Sequence, residues 1–421
     1  ELENGAVTKL TEPNLNSNIG SVINWFANSE NMLVKMISNN RKSLIDTNQI
    51  VPDGPTISTN FGEKAQNRTY QDLLKNKFDE HNFEQLSTSA IYKVSIDGDI
   101  KKWMDDGMYR TISFSPNGEY VMISQINKPF SYLVTYSRFP TETNVYSKDG
   151  NFISNLLNVP LIEELPKGFM SARTGKRSFS WRPDKGASLT YVTALDSGDP
   201  SKKVDFRDEV YELNYPFLGK GKFMLKTINR FSGIDWGTKD MAIAYDTWWN
   251  TRNRKSYVFN PSNPNIKPKI ISDRNYQDTY SDPGVFLRSR NEFNRSVLKM
   301  HYGNVFLRGQ GFSPNGQFPF IDKVNTKTFE KTRVYQSSYT DKIESIIDYD
   351  PKKNQLTVSI ESPSEYPNYY TKKIKSGKLE KITDLKNPFL ELQNVKKKKI
   401  TYLRKDGVEL SGILYLPLNY D

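Results

Sequence analysis

The side chains most often used for bond cleavage are scarce in this chain of 421 residues. There are two histidines, His81 and His301, and no cysteine, which excludes a thiolate nucleophile and a thiolate zinc site. No Gly-x-Ser-x-Gly sequence occurs, and the stretch GFSPNG that begins at Gly311 predicts a hairpin turn. No His-Glu-x-x-His sequence and no His/Asp set with metal spacing is present. The sequence therefore predicts no catalytic residue, no metal site and no cofactor within these residues.

The charge pattern favours acidic ligands over nucleic acid. The formal net charge is +11, but the lysines and arginines are scattered, as on an ordinary Lys-rich surface. One short run, Lys396 to Lys399, lies at a predicted strand edge, where lysines commonly oppose aggregation. No glycine-rich phosphate loop follows a strand, and no apolar stretch is long enough for a transmembrane segment. A basic patch for an acidic ligand is the more specific interpretation.

A recurring turn pattern predicts the elements that must carry any binding site. In each copy an apolar pair leads into a polar turn rich in Asp, Asn, Pro or Gly, and an apolar strand follows. The clearest copy is TISFSPNGEYVMISQI at 111–126. The six copies lie at 22–36, 111–126, 178–195, 233–248, 285–300 and 345–360. Two further strand-like runs follow each copy.

Four strands per repeat, at an irregular period of roughly 50 to 60 residues, are typical of β-propeller blades. Blades stack radially because a single four-stranded sheet cannot bury both of its faces. We therefore predict an all-β, seven-bladed propeller whose first blade is incomplete, with residues 1–10 as the outer hairpin of that blade. The aromatic residues expected in the shared core are Trp25, Phe114, Trp181 and Trp236.

The first interval between copies is too long, which predicts an insertion at about 43–103. Its stretch TYQDLLKNKFDEHNFEQL has helical spacing at Tyr70, Leu73, Leu74 and Phe78. Thr69 or Asn67 is the expected N-cap. Long insertions in compact folds are usually functional or disordered, and a packed ornament on the side of the propeller is the other interpretation.

Both ends of the sequence predict hairpins. At the start, Asn4-Gly5 is the expected turn and Val7 and Leu10 the start of a return strand. At the end, Lys405-Asp406-Gly407 separates two alternating runs within 400–416. A terminal hairpin alone is marginal in water, so we expect these residues to belong to a longer polypeptide.

Several stretches together resemble the glutamyl endopeptidases, the chloroplast-type enzymes and their bacterial relatives in the prolyl oligopeptidase clan of serine peptidases. They are GPTISTNFGEKAQNRTYQDLLK, YSRFPTETNVYSKDG, RSFSWRPDKG, YDTWWNTRNRKSYVF, DRNYQDTYSDPG and RKDGVELSGILYLPLNYD. The motifs keep the order and rough spacing of that family and cover most of the chain.

The resemblance implies a propeller over 1–395 and, over 396–421, the first hairpin of a C-terminal α/β-hydrolase domain of the same polypeptide. The catalytic triad of the family would lie beyond residue 421, so the role implied here is gating and positioning of a peptide substrate. Family members cleave after Glu, sometimes Asp. The implied location is periplasmic or secreted.

Acidic specificity requires a cation, and a guanidinium can hold a carboxylate with two parallel hydrogen bonds. Three arginines lie in the resembling motifs beside apolar residues: Arg138, Arg252 and Arg254. Arg138 is the first choice because Phe139-Pro140 would fix the backbone next to it. The alternative for each arginine is a structural pair with an Asp between blades.

Two other functions stay open from the sequence. A non-catalytic propeller could act as a binding or scaffold subunit, since fold does not determine function. A carbohydrate-processing propeller could stack a sugar on Trp248-Trp249, although such tryptophans are more often core residues.

Overall fold

Antiparallel strands form nearly all of the regular structure. The computed structural model describes residues 5, 7–46, 51, 70–392, 395–417 and 420. These fall into two compact units, one of residues 1–275 and 289–297 and one of residues 276–288 and 298–421. No helix among the described residues is long and apolar enough to span a membrane.

In the first unit, strands that are neighbours in the chain pair with each other. Up to residue 275 the strands are β1 (Ile23–Trp25), β2 (Asn31–Ile37), β3 (Ser89–Ser95), β4 (Ile100–Phe114), β5 (Tyr120–Ile126), β6 (Thr141–Ser147), β7 (Phe152–Val159), β8 (Arg177–Trp181), β9 (Ser188–Ala194), β10 (Asp208–Asn214), β11 (Lys222–Thr227), β12 (Arg230–Thr238), β13 (Met241–Trp248), β14 (Asn253–Phe259) and β15 (Lys269–Asn275). Strands β1 to β7 form one sheet, β8 to β11 a second and β12 to β15 a third.

The long strand β4 belongs to two runs of four strands, because it pairs with β3 through its first half and with β5 through its second half. The β4–β5 turn needs a glycine: Gly118 has φ +75°, and a Cβ there would lie 2.9 Å from Ala27 Cβ. The side chains that pack between neighbouring sheets are mainly aliphatic and aromatic, including Met122, Leu189, Tyr211, Val192, Trp236 and Phe259. The predicted hairpins at 22–36, 111–126, 178–195 and 233–248 are confirmed.

From residue 276 onward the strands are β16 (Val285–Phe286), β17 (Arg288–Arg290), β18 (Ser296–Leu298), β19 (Met300–His301), β20 (Asn304–Gly309), β21 (Phe312–Ser313), β22 (Gly316–Gln317), β23 (Phe320–Asn325), β24 (Lys331–Gln336), β25 (Ile343–Asp350), β26 (Gln355–Glu361), β27 (Asn368–Lys373), β28 (Leu379–Lys381), β29 (Lys396–Leu403) and β30 (Glu409–Leu416). Strands β16, β20, β23 and β24 form one sheet, with β19 also on β20, and β25 to β28 form another. The predicted hairpin at 345–360 is confirmed as β25–β26, and the terminal hairpin as β29–β30.

The predicted hairpin at 285–300 is confirmed as the small hairpin of β17 and β18, around the predicted turn, but it lies outside the sheet that contains β20. In that sheet β16 and β19 both pair with β20. The turn between β19 and β20 is Tyr302-Gly303, where both residues have positive φ (45° and 71°). Two consecutive residues with positive φ give the turn whose twist matches antiparallel strands.

Two expectations near the start of the chain are also wrong. Residues 7–10 form no strand: Val7 is 97% exposed, and only Leu10 packs against a buried cluster. Residues 1–4 and 6 lie outside the described residues. Trp25 is 51% exposed, while Phe26 is buried and packs on Phe114 at a ring-centroid distance of 4.6 Å. Because strand side chains alternate between faces, a shift of one residue exchanges the two aromatic rings.

The insertion contains one helix, α1, at Lys77–Ser87. The predicted helix is confirmed, but its start is later than expected because Asn76 is the N-cap and its side chain accepts a hydrogen bond from the Asp79 N–H. The caps expected at Asn67 or Thr69 lie outside the described residues. The insertion was expected at about 43–103, but β3 begins at Ser89 and β4 at Ile100. The connection between β2 and β3 therefore spans 38–88.

Candidate substrate-binding site

Arg138 lies at the end of a short 3-10 turn, Tyr136–Arg138, between β5 and β6. Its backbone is held on both sides: its N–H donates to the Thr135 carbonyl at 2.9 Å, and its carbonyl accepts from the Ile162 N–H at 3.0 Å. The next residue, Phe139, is 2% exposed. The apolar neighbour therefore anchors the backbone beside Arg138, as the sequence predicted.

The side chain of Arg138 is half-buried and carries no ion pair with any residue that the structure describes. Its guanidinium lies over the ring of Tyr70, with Cζ 5.8 Å from the centroid. An aromatic face is a weaker partner for a buried guanidinium than a carboxylate, so Arg138 keeps most of its hydrogen-bonding capacity. This is the arrangement that a site for an incoming anion requires.

The insertion supplies one wall of this site. Tyr70, which precedes α1, and Phe83, which lies in α1, pack against a buried cluster that contains Phe130 and Phe139. The Phe83 ring meets the rings of Phe130 and Phe139 edge to face, at 5.1 Å and 5.7 Å. Within the described part of the chain, the buried Tyr70 hydroxyl has no hydrogen-bond partner. The insertion thus contacts the preferred arginine, which favours its functional interpretation over that of an ornament.

A second arginine, Arg110, approaches the same turn. Its Nη1 donates to the Ser137 carbonyl over a long 3.4 Å, and Ser137 immediately precedes Arg138. Arg110 is the extra residue of a β-bulge in β4, since Tyr109 pairs with Gln125 and Thr111 with Ser124. It is half-buried and, among the described residues, has no ion pair.

Sequence reasoning missed Arg110. A bulge changes the direction of a side chain relative to the regular alternation, and nothing in the local sequence around Arg110 indicates the bulge. The only signal available was the position of Arg110 immediately before the clearest turn copy, at 111–126.

Arg252 and Arg254 lie elsewhere, in the hairpin of β13 and β14. Arg252 has φ +53°, stacks on Trp249 at 3.8 Å and donates to the Trp249 carbonyl at 2.8 Å. Arg254 is exposed and lies over the Tyr245 ring at 4.8 Å. Among described residues, no hydrogen bond, ion pair or ring contact joins either of them to Arg138. The structure therefore brings Arg110, and neither Arg252 nor Arg254, to the predicted site.

Other buried arginines are fully paired, which makes the contrast with Arg138 informative. Arg230 donates to Asp196 at 2.7 Å and to Asp208 at 3.1 Å, and both carboxylates are buried. Arg182 pairs with Asp184 through two hydrogen bonds and with Glu212 at 2.8 Å. Burial alone would raise the pKa of Glu212, but the hydrogen bond from Lys185, the charge of Arg182 and the hydrogen bond from Ser188 hold this pKa below its usual range. These pairs match the structural role that the alternative interpretation assigned to arginines.

The two histidines make no contact with a serine hydroxyl among the residues described. His81 Nε2 lies 3.0 Å from the Ser43 carbonyl, and His301 stacks on Tyr302. No three His, Cys, Asp or Glu side chains meet as a metal-ligand set in the described ranges. The described residues thus form all-β units, the first with a cation-lined candidate site, and contain no nucleophile–base pair.

Comparison with known proteins identifies relatives of this chain. A probable chloroplastic glutamyl endopeptidase of Oryza sativa subsp. japonica is 36% identical over 388 residues, which cover 88% of this chain and 41% of that protein. Another from Arabidopsis thaliana is 32% identical over 415 residues, covering 94% and 43%. No protein-family model matches. The chain is a homologue of the glutamyl endopeptidases over most of its own length, which confirms the resemblance, and it spans less than half the length of these relatives.

Among solved structures, similarity is more distant. The Pyrococcus horikoshii acylaminoacyl peptidase is 13% identical with a TM-score of 0.39, covering 78% of this chain and 47% of that chain. Oligopeptidase B from Trypanosoma brucei is 12% identical with a TM-score of 0.42, covering 80% and 44%. A post-proline cleaving enzyme from Rickettsia typhi has the same identity and TM-score, covering 80% and 49%. At these TM-scores the likeness carries no conclusion about the fold.

Proposed function

We propose that this chain is the propeller portion of a serine peptidase of the prolyl oligopeptidase clan, with a gating and substrate-positioning role. The observation that carries the proposal is its 36% identity to a probable glutamyl endopeptidase across 88% of this chain. The chain covers only 41% of that relative, which is consistent with a catalytic domain outside these residues. The peptide substrate would be cleaved by that domain, with no metal or organic cofactor.

The proposal of propeller blades over 1–395 is supported by the strand pairing within each unit. Six runs of four antiparallel strands are present among the described residues, two of them joined through β4. In the proposal they are six of seven blades, and the described part of residues 1–10 adds no strand to the seventh. The hairpin of β29 and β30 would begin the α/β-hydrolase domain at 396–421; both of its strands are largely exposed, so a further domain could cover them.

We further propose that the enzyme cleaves after Glu and that Arg138 binds the substrate carboxylate. A half-buried guanidinium without an ion pair can form two parallel hydrogen bonds with a carboxylate, which distinguishes Glu from its neutral isostere Gln. Arg252 and Arg254 are weaker candidates because each already stacks on an aromatic ring.

The test is a pair of matched peptide substrates that differ only in Glu or Gln before the scissile bond, given to the full-length enzyme. Arg138→Ala should lower kcat/KM for the Glu substrate by more than tenfold and leave the thermal midpoint unchanged. Arg290→Ala serves as the matched control, since Arg290 is exposed in β17 and is not a candidate for the site. Equal losses on both substrates would indicate a structural arginine, and no loss would place the carboxylate site outside this chain.

The compartment stays the prediction made from the sequence, a periplasmic or secreted protein. The plant relatives are named chloroplastic, which does not support that location. Fractionation of the producing cells, followed by immunodetection of the protein, would decide between an exported and a retained protein.

A further inference from the structure

We infer that Arg110 is a second specificity-determining residue, which acts with Arg138 and the Tyr70 hydroxyl as a site for one side-chain carboxylate of a peptide. This inference deepens the proposed function and rests on it for the identity of the ligand. Arg110 lies outside the stretches that resemble the glutamyl endopeptidases, and the observation that points to it is the contact of its guanidinium with the turn that carries Arg138.

The first step of the argument is electrostatic. Arg138 belongs to the short turn whose Ser137 carbonyl accepts a hydrogen bond from Arg110. Both arginines are half-buried, and within the described chain neither has a carboxylate partner. Two like charges that are partly removed from water repel each other, and a bound anion relieves that repulsion while it gains attraction from both. Elsewhere in the first unit, the buried Arg182 and Arg230 are each neutralised by two carboxylates.

The second step concerns the carboxylates that could have neutralised this pair internally. Three carboxylates on the surrounding elements are engaged with other groups. Glu163 accepts a hydrogen bond from Ser131 at 2.6 Å, and Glu84 pairs with Lys128 at 2.8 Å. Glu80 pairs with Lys77 at 3.2 Å. No carboxylate of the described residues pairs with either guanidinium, so both remain available for a carboxylate from outside the described part of the chain.

The third step is the geometry of the donors. The bulge at Arg110 breaks the regular alternation of β4, and bulges commonly redirect side chains next to functional sites. The Arg138 guanidinium lies over the Tyr70 ring, and the Tyr70 hydroxyl is buried without a partner in the described chain. A buried hydroxyl that makes no hydrogen bond costs about 1–3 kcal/mol, so a ligand that accepts from it is favoured. Two guanidinium groups and one hydroxyl offer enough donors for a single carboxylate.

The experiment measures binding of two peptides to the 421-residue chain by isothermal titration calorimetry. The peptides are N-acetyl-Ala-Ala-Glu-Ala-Ala-amide and its Gln counterpart, which differ only in the carboxylate. We expect the Glu peptide to bind more tightly. Arg110→Gln should weaken binding of the Glu peptide about tenfold and leave the Gln peptide within about twofold, since one charge-assisted pair is lost. Tyr70→Phe should weaken only the Glu peptide, by about threefold or more.

Arg290→Gln is the matched control, because it removes an exposed arginine of β17 that is not a candidate for the site. If Arg110→Gln fails to fold, Arg110→Lys is the variant to test. Lysine keeps the charge but lacks the two parallel N–H donors of the guanidinium, so the preference for Glu over Gln should fall at least threefold. An unchanged ratio of the two affinities in the folded Arg110 variant would overturn the inference. Inorganic phosphate as a competitor should bind more weakly than the Glu peptide; tighter, Arg110-dependent phosphate binding would also overturn the assignment to a carboxylate.

The inference and the proposed function fail separately. If the full-length enzyme prefers Glu substrates but the Arg110 variants retain that preference, the inference fails and the function stands. If the enzyme shows no preference for Glu while the chain binds the Glu peptide through Arg110, the proposed specificity fails and the carboxylate site stands.

Discussion

Lys35 offers a quantitative test of how the first unit is packed, because this lysine is buried and has no carboxylate partner among the described residues. Its ammonium donates hydrogen bonds to the carbonyls of Ile19 and Tyr109, and the residue is 2% exposed. Burial lowers the pKa of Lys35 from 10.5 to about 8. Since one pKa unit corresponds to about 1.4 kcal/mol, the buried charge costs about 3 kcal/mol of folding free energy when both states are protonated.

The sign of the pH effect follows from proton binding. Between pH 8 and 10.5 the unfolded chain holds a proton on Lys35 that the folded chain has released, so stability rises with pH in this window. From about pH 7 to about pH 9.5 the expected gain is roughly 2 kcal/mol. Burial also raises the pKa of Tyr109, so above about pH 10 the unfolded chain loses that proton first and stability falls again.

The assay compares the wild-type chain with Lys35→Met by urea denaturation at these two pH values. The difference in unfolding free energy between the two proteins isolates Lys35, because the other titrating groups are common to both. Lys101→Met is the control, since Lys101 is exposed on β4. A wild-type-minus-variant difference that changes by less than about 0.5 kcal/mol between the two pH values would refute the burial of an unpaired ammonium, and a fall would indicate an ion-paired Lys35.

Three further predictions test the core, a buried ion pair and the absence of catalysis. Trp181→Ala should lower the free energy of unfolding by about 3–5 kcal/mol in chemical denaturation, because Trp181 is 8% exposed and packs on Phe217; a loss below about 0.5 kcal/mol would contradict its core position. Glu344→Gln should cost about 3 kcal/mol in the same assay, because it leaves the ammonium of Lys372 buried beside a neutral group. Asp384→Asn, in an exposed pair, should leave the free energy of unfolding nearly unchanged, and similar losses in both variants would refute the distinction. The 421-residue chain should neither cleave Glu peptides nor react with a fluorophosphonate serine probe, and stoichiometric labelling of any serine would overturn this prediction.

Local patterns in the sequence were sufficient to predict the repeated hairpins. Alternating apolar residues around polar turns predicted six hairpins, and all six are present, since both alternation and turn chemistry are local. The sheet to which a hairpin belongs could not be predicted in the same way: the hairpin at 285–300 lies outside the sheet of β20, in which Tyr302-Gly303 forms the turn between β19 and β20. Trp25 was misplaced for a related reason, because adjacent aromatic residues on a strand cannot be assigned to faces without the register.

The candidate site shows where local reasoning stops. Arg138 could be selected from the sequence because the apolar residue that anchors it is its own neighbour, Phe139. Arg110 could not, since its relevance depends on a bulge and on a contact with a turn formed much later in the chain. Tyr70 became part of the site only when the insertion packed beside that turn. The proposed carboxylate site is built from three separate segments, so it depends on the tertiary fold. Its affinity for a carboxylate should therefore depend on the packing of the insertion. Substitutions in α1 that disturb this packing should alter the preference for Glu without contacting the substrate.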